Sequence, residues 1–527
     1  MTISPLPRRT LITGAAALGL AAGLPGLGST VANAAPLRRR GSSFSARTVL
    51  GWTEDTWHSL VAMTDARTGL PADNIPASLA AGDRSGYTSP TNIGGYLWSA
   101  VVAKELGLIR REELVRRCRQ TLTTLLGMKH HTPSGMYYNW YDEASGDVIT
   151  TWPEDGKRVY PFASSVDNGW LGAALWVVRN AVPEVRESAD KLFTRMRWDM
   201  FFDADTAHPG VRPGGLMHGG FYDDPPPEGF AGYTGNHIGI GPDVWYTNHH
   251  YDTTVSETRI TSYLGIMTGQ VPAKHYFASW RTFPASCDWS WHESQPVGVT
   301  RTYLGLDVYE GAYQYRGMRI VPGWGGSMFE ELMPDVFVPE AEWGPRSWGR
   351  NHPLHVRAQR EHGLVEAGYG IWGFSPSSNP DGGYREYGVD ALGLNPEGYF
   401  SDQEKTNYDV GFGKCRDATN PHPKFGHGVA TPHASFLAMA YEPRHAYANL
   451  VKLQHDYKGY GDGGFFDAIA SSGTLAKRYL SLDQAMIMGA VGNVLGRDVI
   501  RRAFATRTVE RRLRPVLAME RFGAGTV

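Results

Sequence analysis

At least ten segments of this chain place apolar residues at the 3.6-residue spacing of a helix, and they tend to alternate in kind. Segments such as TNIGGYLWSAVVAKELGL, SVDNGWLGAALWVVRNAV and LDQAMIMGAVGNVLG are strongly apolar, whereas REELVRRCRQTLTTLLGM and RHAYANLVKLQHDY are amphipathic. A helix that is apolar all round has to be covered on every side, and an amphipathic partner can cover it while facing water. The chain therefore reads as all-α dominated, with nested inner and outer helices as in an α/α toroid. Short strand candidates lie at 136–152 and 302–323, the second with an EG turn at Glu310-Gly311. Two long Gly/Pro-rich loops, about 202–250 and 375–432, exceed what a connector needs and are expected to wall a cleft. With no internal repeat or linker, residues 49–510 are expected to form one domain, followed by a tail at 511–527.

The first 34 residues carry Arg8-Arg9, an apolar Gly/Ala/Leu run and a small-residue site ending at Ala34. That pattern predicts a twin-arginine-type signal peptide, cleavage near Ala34, and export as a secreted protein, with a basic, Ser-rich tether at 35–48. Removing Arg8 and Arg9 leaves 49 basic against 53 acidic residues, a formal charge of −4. No basic excess points to nucleic acid. No later run approaches the ~20 apolar residues of a membrane span, so no stable membrane association is expected after cleavage. Cys118, Cys287 and Cys415 make no C-x-x-C spacing and read as three buried thiols in preference to one bridge and a free thiol.

Several inner helices begin with an acid beside Gly and an aromatic: Asp167 in SSVDNGWL, Glu257 in SETR, Glu330 in GWGGSMFEELMP and Asp483 in YLSLDQAM. Capping of the helix explains Asp483 well and Asp167 in part. It explains Glu257 badly, because Ser256 already offers a cap and helical spacing would put Glu257 on a face with Ile260, Thr261 and Leu264. Glycoside hydrolysis needs one carboxyl to protonate the leaving oxygen and a second to act as nucleophile or as base on water. The acid must stay protonated near neutrality, which partial burial favours. Glu257 fits the acid, and Glu330, after Trp324, Gly325 and Gly326, fits its partner; the competing reading of Glu330 is half of a solvated pair with Glu331. The cluster Asn379, Asp381, Tyr384, Arg385, Glu386, Tyr387 and Asp390 suits sugar hydroxyls and rings, or else a loop braced by an ion pair of Arg385 with Glu386 or Asp381. His249, His250, His427 and His433 fall in no metal-ligand spacing, so no catalytic metal and no cofactor is expected. The 16 Trp, 26 Tyr and 20 Phe are mostly core, with faces to spare for sugar rings.

The segments TSPTNIGGYL, GMYYNWYD, SSVDNGWLGAAL, YDTTVSETRITSYLGI, GWGGSMFEELMP, HGVATPHASFLAM and GYGDGGFFDA resemble, in order and interval, the glycoamylase-like family. That family includes the transglycosylase domain of cyclic β-1,2-glucan synthases, and endo-β-1,2-glucanases are related to it. The resemblance spans roughly residues 50–505. It implies an (α/α)6 toroid, a six-hairpin barrel, acting on a β-1,2-linked glucan. It also implies a catalytic pair at Glu257 and Glu330 in a retaining mechanism. Because the related glucanases vary at the second motif and invert, the stereochemistry rests on Glu330. In or beside the matched motifs, Asn92, Tyr138, Trp140, Asp167, Trp170, Arg259, Trp324, Asp381, Tyr384 and Glu386 are expected to bind an oligo- or polysaccharide. The synthases' glycosyltransferase and phosphorylase regions have no counterpart here, so hydrolysis is expected over cyclisation, with transglycosylation possible. The alternatives are a glycosidase on another linkage (an α-glucan or an arabinan), a polysaccharide lyase, and a non-catalytic glycan-binding protein; an acidic chain fits poorly with the basic cleft a lyase needs.

Overall fold

The computed structural model describes residues 44–421 and 423–527. The expected signal peptide and most of the expected tether lie outside the described residues. Fourteen α-helical segments follow in order. They are α1 (Ala46–Met63), α2 (Pro90–Glu105), α3 (Arg111–Gly127), α4 (Ser165–Ala181), α5 (Arg186–Thr194), α6 (Arg259–Thr268) and α7 (Met328–Leu332). Then come α8 (Glu340–Trp343), α9 (Trp348–Glu361), α10 (Pro432–Ala438), α11 (Pro443–His455), α12 (Ser481–Val494), α13 (Val499–Phe504) and α14 (Arg507–Met519). Among the described residues, no helix is long and apolar enough to cross a membrane.

The alternation seen in the sequence is physical. Most residues of α2, α4 and α12 are buried, whereas α3, α11 and α14 bury one stripe each. The buried helices pack as neighbours in the order α6, α4, α2, α12, α10, α7. Small residues permit the close approach: a Cβ at Gly169 of α4 would collide with the side chain of Thr261 on α6. Trp98 and Trp170 from α2 and α4 meet Phe337 in the middle of the principal core.

The two long loops are folded, not slack. The first contributes the strands Phe202–Asp203 and Leu216–His218, the latter pairing with the former and with His250–Tyr251, and the strands Gly220–Tyr222, Gly232–Gly235 and Val244–Thr247, which continue a sheet from Phe162–Ser164. The second carries the small hairpin Ser377–Ser378/Tyr384–Arg385 and is bridged to residue 287 by a Cys287–Cys415 disulfide with Cα atoms 5.4 Å apart. The bridge corrects the expectation of three buried thiols; only Cys118 remains a buried thiol.

Two further expectations change. The hairpin near 300 turns at Leu304-Gly305, between Val297–Tyr303 and Leu306–Tyr315, so Glu310-Gly311 lies inside a strand and not in a turn. Leu304 takes a positive φ of 49° and Gly305 one of 82°, the left-handed pair a tight two-residue connection requires. Residues 511–527 are not a tail: α14 packs on α6 and α8, and Gly525–Thr526 adds a strand to Met318–Ile320. Glu520, between them, is wholly buried in an ion pair with Arg281 and accepts a hydrogen bond from Tyr276. These contacts explain why the segment orders: the Arg281 guanidinium would otherwise be a buried, unpaired charge.

Candidate functional site

The six buried helices are tied together at their N-terminal ends. At Ser89, Ser164 and Ser327 the cap hydroxyl accepts the backbone N–H three residues on, from Asn92, Asp167 and Glu330. Asp483 occupies the same third position in α12, where the cap residue is Leu480, so the expected capping role does not account for it. Thus Asn92, Asp167, Glu330 and Asp483 are equivalent positions of four buried helices, each in the first turn.

Specific bonds link one helix start to the next. Asp73 joins α2 to α12, its carboxylate accepting from Asn92 Nδ2 and its carbonyl from Ser481 N–H, both at 2.8 Å. Thr91 donates to Asp167, joining α2 to α4, and Thr261 donates to the Ser165 carbonyl at 2.8 Å, joining α4 to α6. His433 at the start of α10 stands 3.3 Å from Asp483 of α12.

The link between α6 and α7 is Arg259. Its Nε and Nη2 grip the Glu340 carboxylate at 2.7 and 2.8 Å, Nη1 donates to the carbonyls of Ser256 (2.9 Å) and Glu330 (2.5 Å), and Nη2 also donates to the Glu331 carbonyl (2.5 Å). All five guanidinium N–H groups are thereby committed to protein, and the plane lies over Trp348. Arg259 is therefore a positioning residue and not the sugar contact expected from the sequence. Burial alone would raise the Glu340 carboxyl, but the Arg259 charge holds it down to about 2. Burial would likewise lower His352, yet its bonds to Glu331 and Glu340 push it up to about 9.

What Arg259 positions is the pair of acids. Glu257 lies in the turn before α6, whose cap is Thr258, and so does not share the helical face expected for it. It is nonetheless buried, 6 % exposed, with Ser256 Oγ 3.4 Å from Oε2. Val255 bridges in parallel to Gly323, which in turn bridges Gly393, so the Glu257 turn runs beside the glycine loop that leads into α7. Glu330 closes a reciprocal capping box there: Oε2 accepts from Gly325 N–H at 3.0 Å, Ser327 N–H at 3.2 Å and Ser327 Oγ–H at 3.0 Å. The solvated Glu330–Glu331 pair does not exist, because Glu331 is buried against His352 and Asn351. The three donors converge on Oε2 and fix the orientation of the carboxylate.

The expected sugar contacts separate into groups. Asn92 and Asp167 sit in the ring of helix starts. Tyr138 is buried and donates to Asp223. Trp140 and Trp324 are half-buried, the first at the edge of a cluster with Tyr87 and Trp152, the second packed against a cluster of Phe283, Tyr313 and Leu394. Asp381 is exposed and accepts from Gln403; Tyr384 and Glu386 are half-buried on the hairpin that Arg385 braces by donating to the carbonyls of Asp402 and Gln403. Trp170 is 1 % exposed between Trp98 and Phe337, which makes it core and corrects its assignment as a sugar contact. Trp170→Ala is expected to lower stability by about 3–5 kcal/mol and leave KM for an oligosaccharide unchanged. Trp140→Ala should do the reverse, and melting temperature and KM measured on both variants check the pair.

Two acid pairs went unselected in the sequence. Asp467, fully buried, hydrogen-bonds Asp483; burial first, and the Asp483 charge next, push its carboxyl well above the usual range. The only sequence signal was an Asp after two aromatics in GYGDGGFFDA. Glu293 and Asp390 form the second pair, both pushed up, Glu293 by burial and then by the Asp390 charge, Asp390 chiefly by burial. Asp390 was visible only as one polar residue of many in its loop. That loop donates Val389 N–H to the Gly326 carbonyl, which brings the Glu293–Asp390 pair to the segment that orients Glu330.

Residues 249–507 match the Glycoamylase family model, described as "Putative glucoamylase", and residues 52–208 match a family described as a protein of unknown function, DUF3131. The cyclic beta-(1,2)-glucan synthase NdvB of Rhizobium meliloti (strain 1021) is 26% identical over 269 residues, 48% of this chain and only 7% of that protein. An endo-beta-1,2-glucanase from Chitinophaga pinensis, solved with sophorotriose and glucose, superposes with a TM-score of 0.61 at 16% identity, over 90% of this chain and 99% of its own. A beta-1,2-glucanase from Parabacteroides distasonis gives 0.63 at 15% identity, over 91% of this chain and 61% of its own. At such identities these structures share the fold.

Proposed function

From the match of residues 249–507 to the Glycoamylase family, we propose that this chain is a glycoside hydrolase that cleaves a glucan, with β-1,2-linked glucan as substrate. The scaffold is read as an (α/α)6 toroid, the six inner helices being α2, α4, α6, α7, α10 and α12. Support for that reading comes from the cycle of packing and helix-start bonds that returns from α7 through Arg259 to α6. The observation that carries the function is the Arg259 clamp: one guanidinium joins the backbone next to Glu257 to the backbone of Glu330 itself. Two carboxyl-bearing turns so joined support the reading of Glu257 and Glu330 as a catalytic pair across one glycosidic bond.

In this reading Glu257 protonates the leaving glycosidic oxygen. Glu330, oriented by Gly325 and Ser327, attacks the anomeric carbon in a retaining mechanism, and Glu257 then draws a proton from the incoming water. A non-catalytic binding protein would have no use for so rigid an anchor on two acids. The linkage preference draws on what the similar glucanases and the synthase are named for. Release outside the cell follows from the twin-arginine pattern around Arg8 and Arg9.

The test is the anomer first released from β-1,2-glucan by the purified protein, followed by proton NMR before mutarotation. Retention, together with rescue of Glu330→Ala by azide, is the expected result. Inversion would return Glu330 to the role of a base or a binding group. Absence of cleavage of β-1,2-glucan, with cleavage of an α-glucan or an arabinan in the same screen, would overturn the substrate.

A further inference from the structure

The 202–250 loop gathers three histidines and a tyrosine around one carboxylate oxygen of Asp203. Asp203 Oδ2 lies 3.3 Å from His218 Nε2, 3.1 Å from His250 Nε2, 2.8 Å from His208 Nδ1 and 3.0 Å from the Tyr233 hydroxyl. Asp203, His218 and His250 come from three strands of one small sheet and are all buried.

The hydrogen-bond inventory there does not close. Nδ1 of His218 faces the Thr247 carbonyl at 2.9 Å, Nδ1 of His250 the Asn248 carbonyl at 3.1 Å, and Nδ1 of His237 the Phe202 carbonyl at 2.7 Å. A carbonyl only accepts, so each Nδ1 carries the hydrogen and each neutral ring turns an Nε2 lone pair inward. The Nε2 of His250 then points its lone pair at Asp203 Oδ2, itself an acceptor. Tyr233 has one proton for three acceptors within reach: Asp203, His218 at 2.7 Å and His237 at 3.0 Å.

Among the described residues no arginine or lysine pairs with Asp203. The other buried Asp/Glu/His group, Asp335, Glu340 and His352, is different, for Arg259 and Arg501 supply its positive charge. Imidazoles that give one N–H to a carbonyl and aim the other nitrogen at a shared point, beside a carboxylate, are the usual arrangement around a transition-metal ion. Separations of 3.1–3.3 Å also suit the edge of a tetrahedron whose metal–ligand bonds are ~2.0–2.1 Å.

We propose that Asp203 Oδ2, His218 Nε2 and His250 Nε2 bind one divalent transition-metal ion of the zinc type, with Tyr233 or a water completing the tetrahedron. The ion is structural. It joins the first, second and last strands of the 202–250 loop, and His250 lies seven residues before Glu257, so the same ion anchors that loop to the segment that carries the acid. The site stands independently of the proposed glycosidase activity.

The test is metal analysis of the full chain after dialysis, after EDTA, and after reloading with Zn²⁺. Close to one zinc per chain is expected, lost in Asp203→Asn and His250→Ala. EDTA should lower Tm by at least ~3 °C and open the 202–250 loop to limited proteolysis, both reversed by Zn²⁺. Replacement by Co²⁺ in the wild-type chain, which needs no folded variant, should give the intense visible absorption of a tetrahedral site. Failure of wild-type protein to retain either metal at stoichiometric load, with Tm unmoved by EDTA, would overturn the proposal and leave the cluster as a protonated histidine–aspartate network.

Discussion

Glu257→Gln is expected to keep the fold and the affinity for oligosaccharide while lowering turnover on glucan by on the order of 10²-fold or more, the usual scale for losing a general acid. Glutamine keeps the size and polarity of the buried side chain, and the Arg259 contacts to Ser256 and Glu330 are made by backbone oxygens, which the substitution leaves in place. An aryl glycoside with a good leaving group needs little protonation and should lose far less. Steady-state kinetics on both substrates, with melting temperature as a control, checks this. Near-normal turnover on glucan would remove Glu257 from the mechanism.

Arg259→Met should lower stability by about 3–5 kcal/mol, because it strips the wholly buried Glu340 of its main counter-charge. The carbonyls of Ser256, Glu330 and Glu331 would lose their guanidinium donors at the same time. Adding Glu340→Leu removes the stranded charge and is expected to recover much of that loss, since apolar replacement of a buried ion pair is often tolerated. Activity should not return, because the guanidinium that ties the backbone beside Glu257 to the start of α7 is still missing. Melting curves and kcat on the single and double variants separate these effects. A double variant with restored turnover would show that Arg259 serves stability alone.

The glycine-hinged entry to α7 sharpens the role given to Glu330. Its carboxylate both closes the capping box with Ser327 and binds Gly325 N–H, so the loop and the acid orient each other. The resemblance pointed to Glu330 through its motif, and the bonds give a local reason for the spacing: the third residue of a helix is the one that reaches back to its own cap.

Local pattern carried the helices, their alternation and the acids at helix starts, because periodicity and capping depend on residues three or four apart. From that pattern alone the chain is helix-rich, alternates strongly apolar with amphipathic helices, and sets acids at the starts of α4, α7 and α12. Pairing across long separations was not legible in it. Asp467 meets Asp483, Glu293 meets Asp390, Cys287 meets Cys415 and Arg281 meets Glu520 only after folding. Nor could composition tell that Trp170 is core while Trp140 reaches the surface. Arg259 is the sharpest case, since beside Glu257 in SETR it reads as one more substrate contact. Whether a guanidinium binds sugar or protein is decided by which acceptors surround it, and those acceptors arrive from residues 330, 331 and 340, whose distance along the chain leaves no local trace.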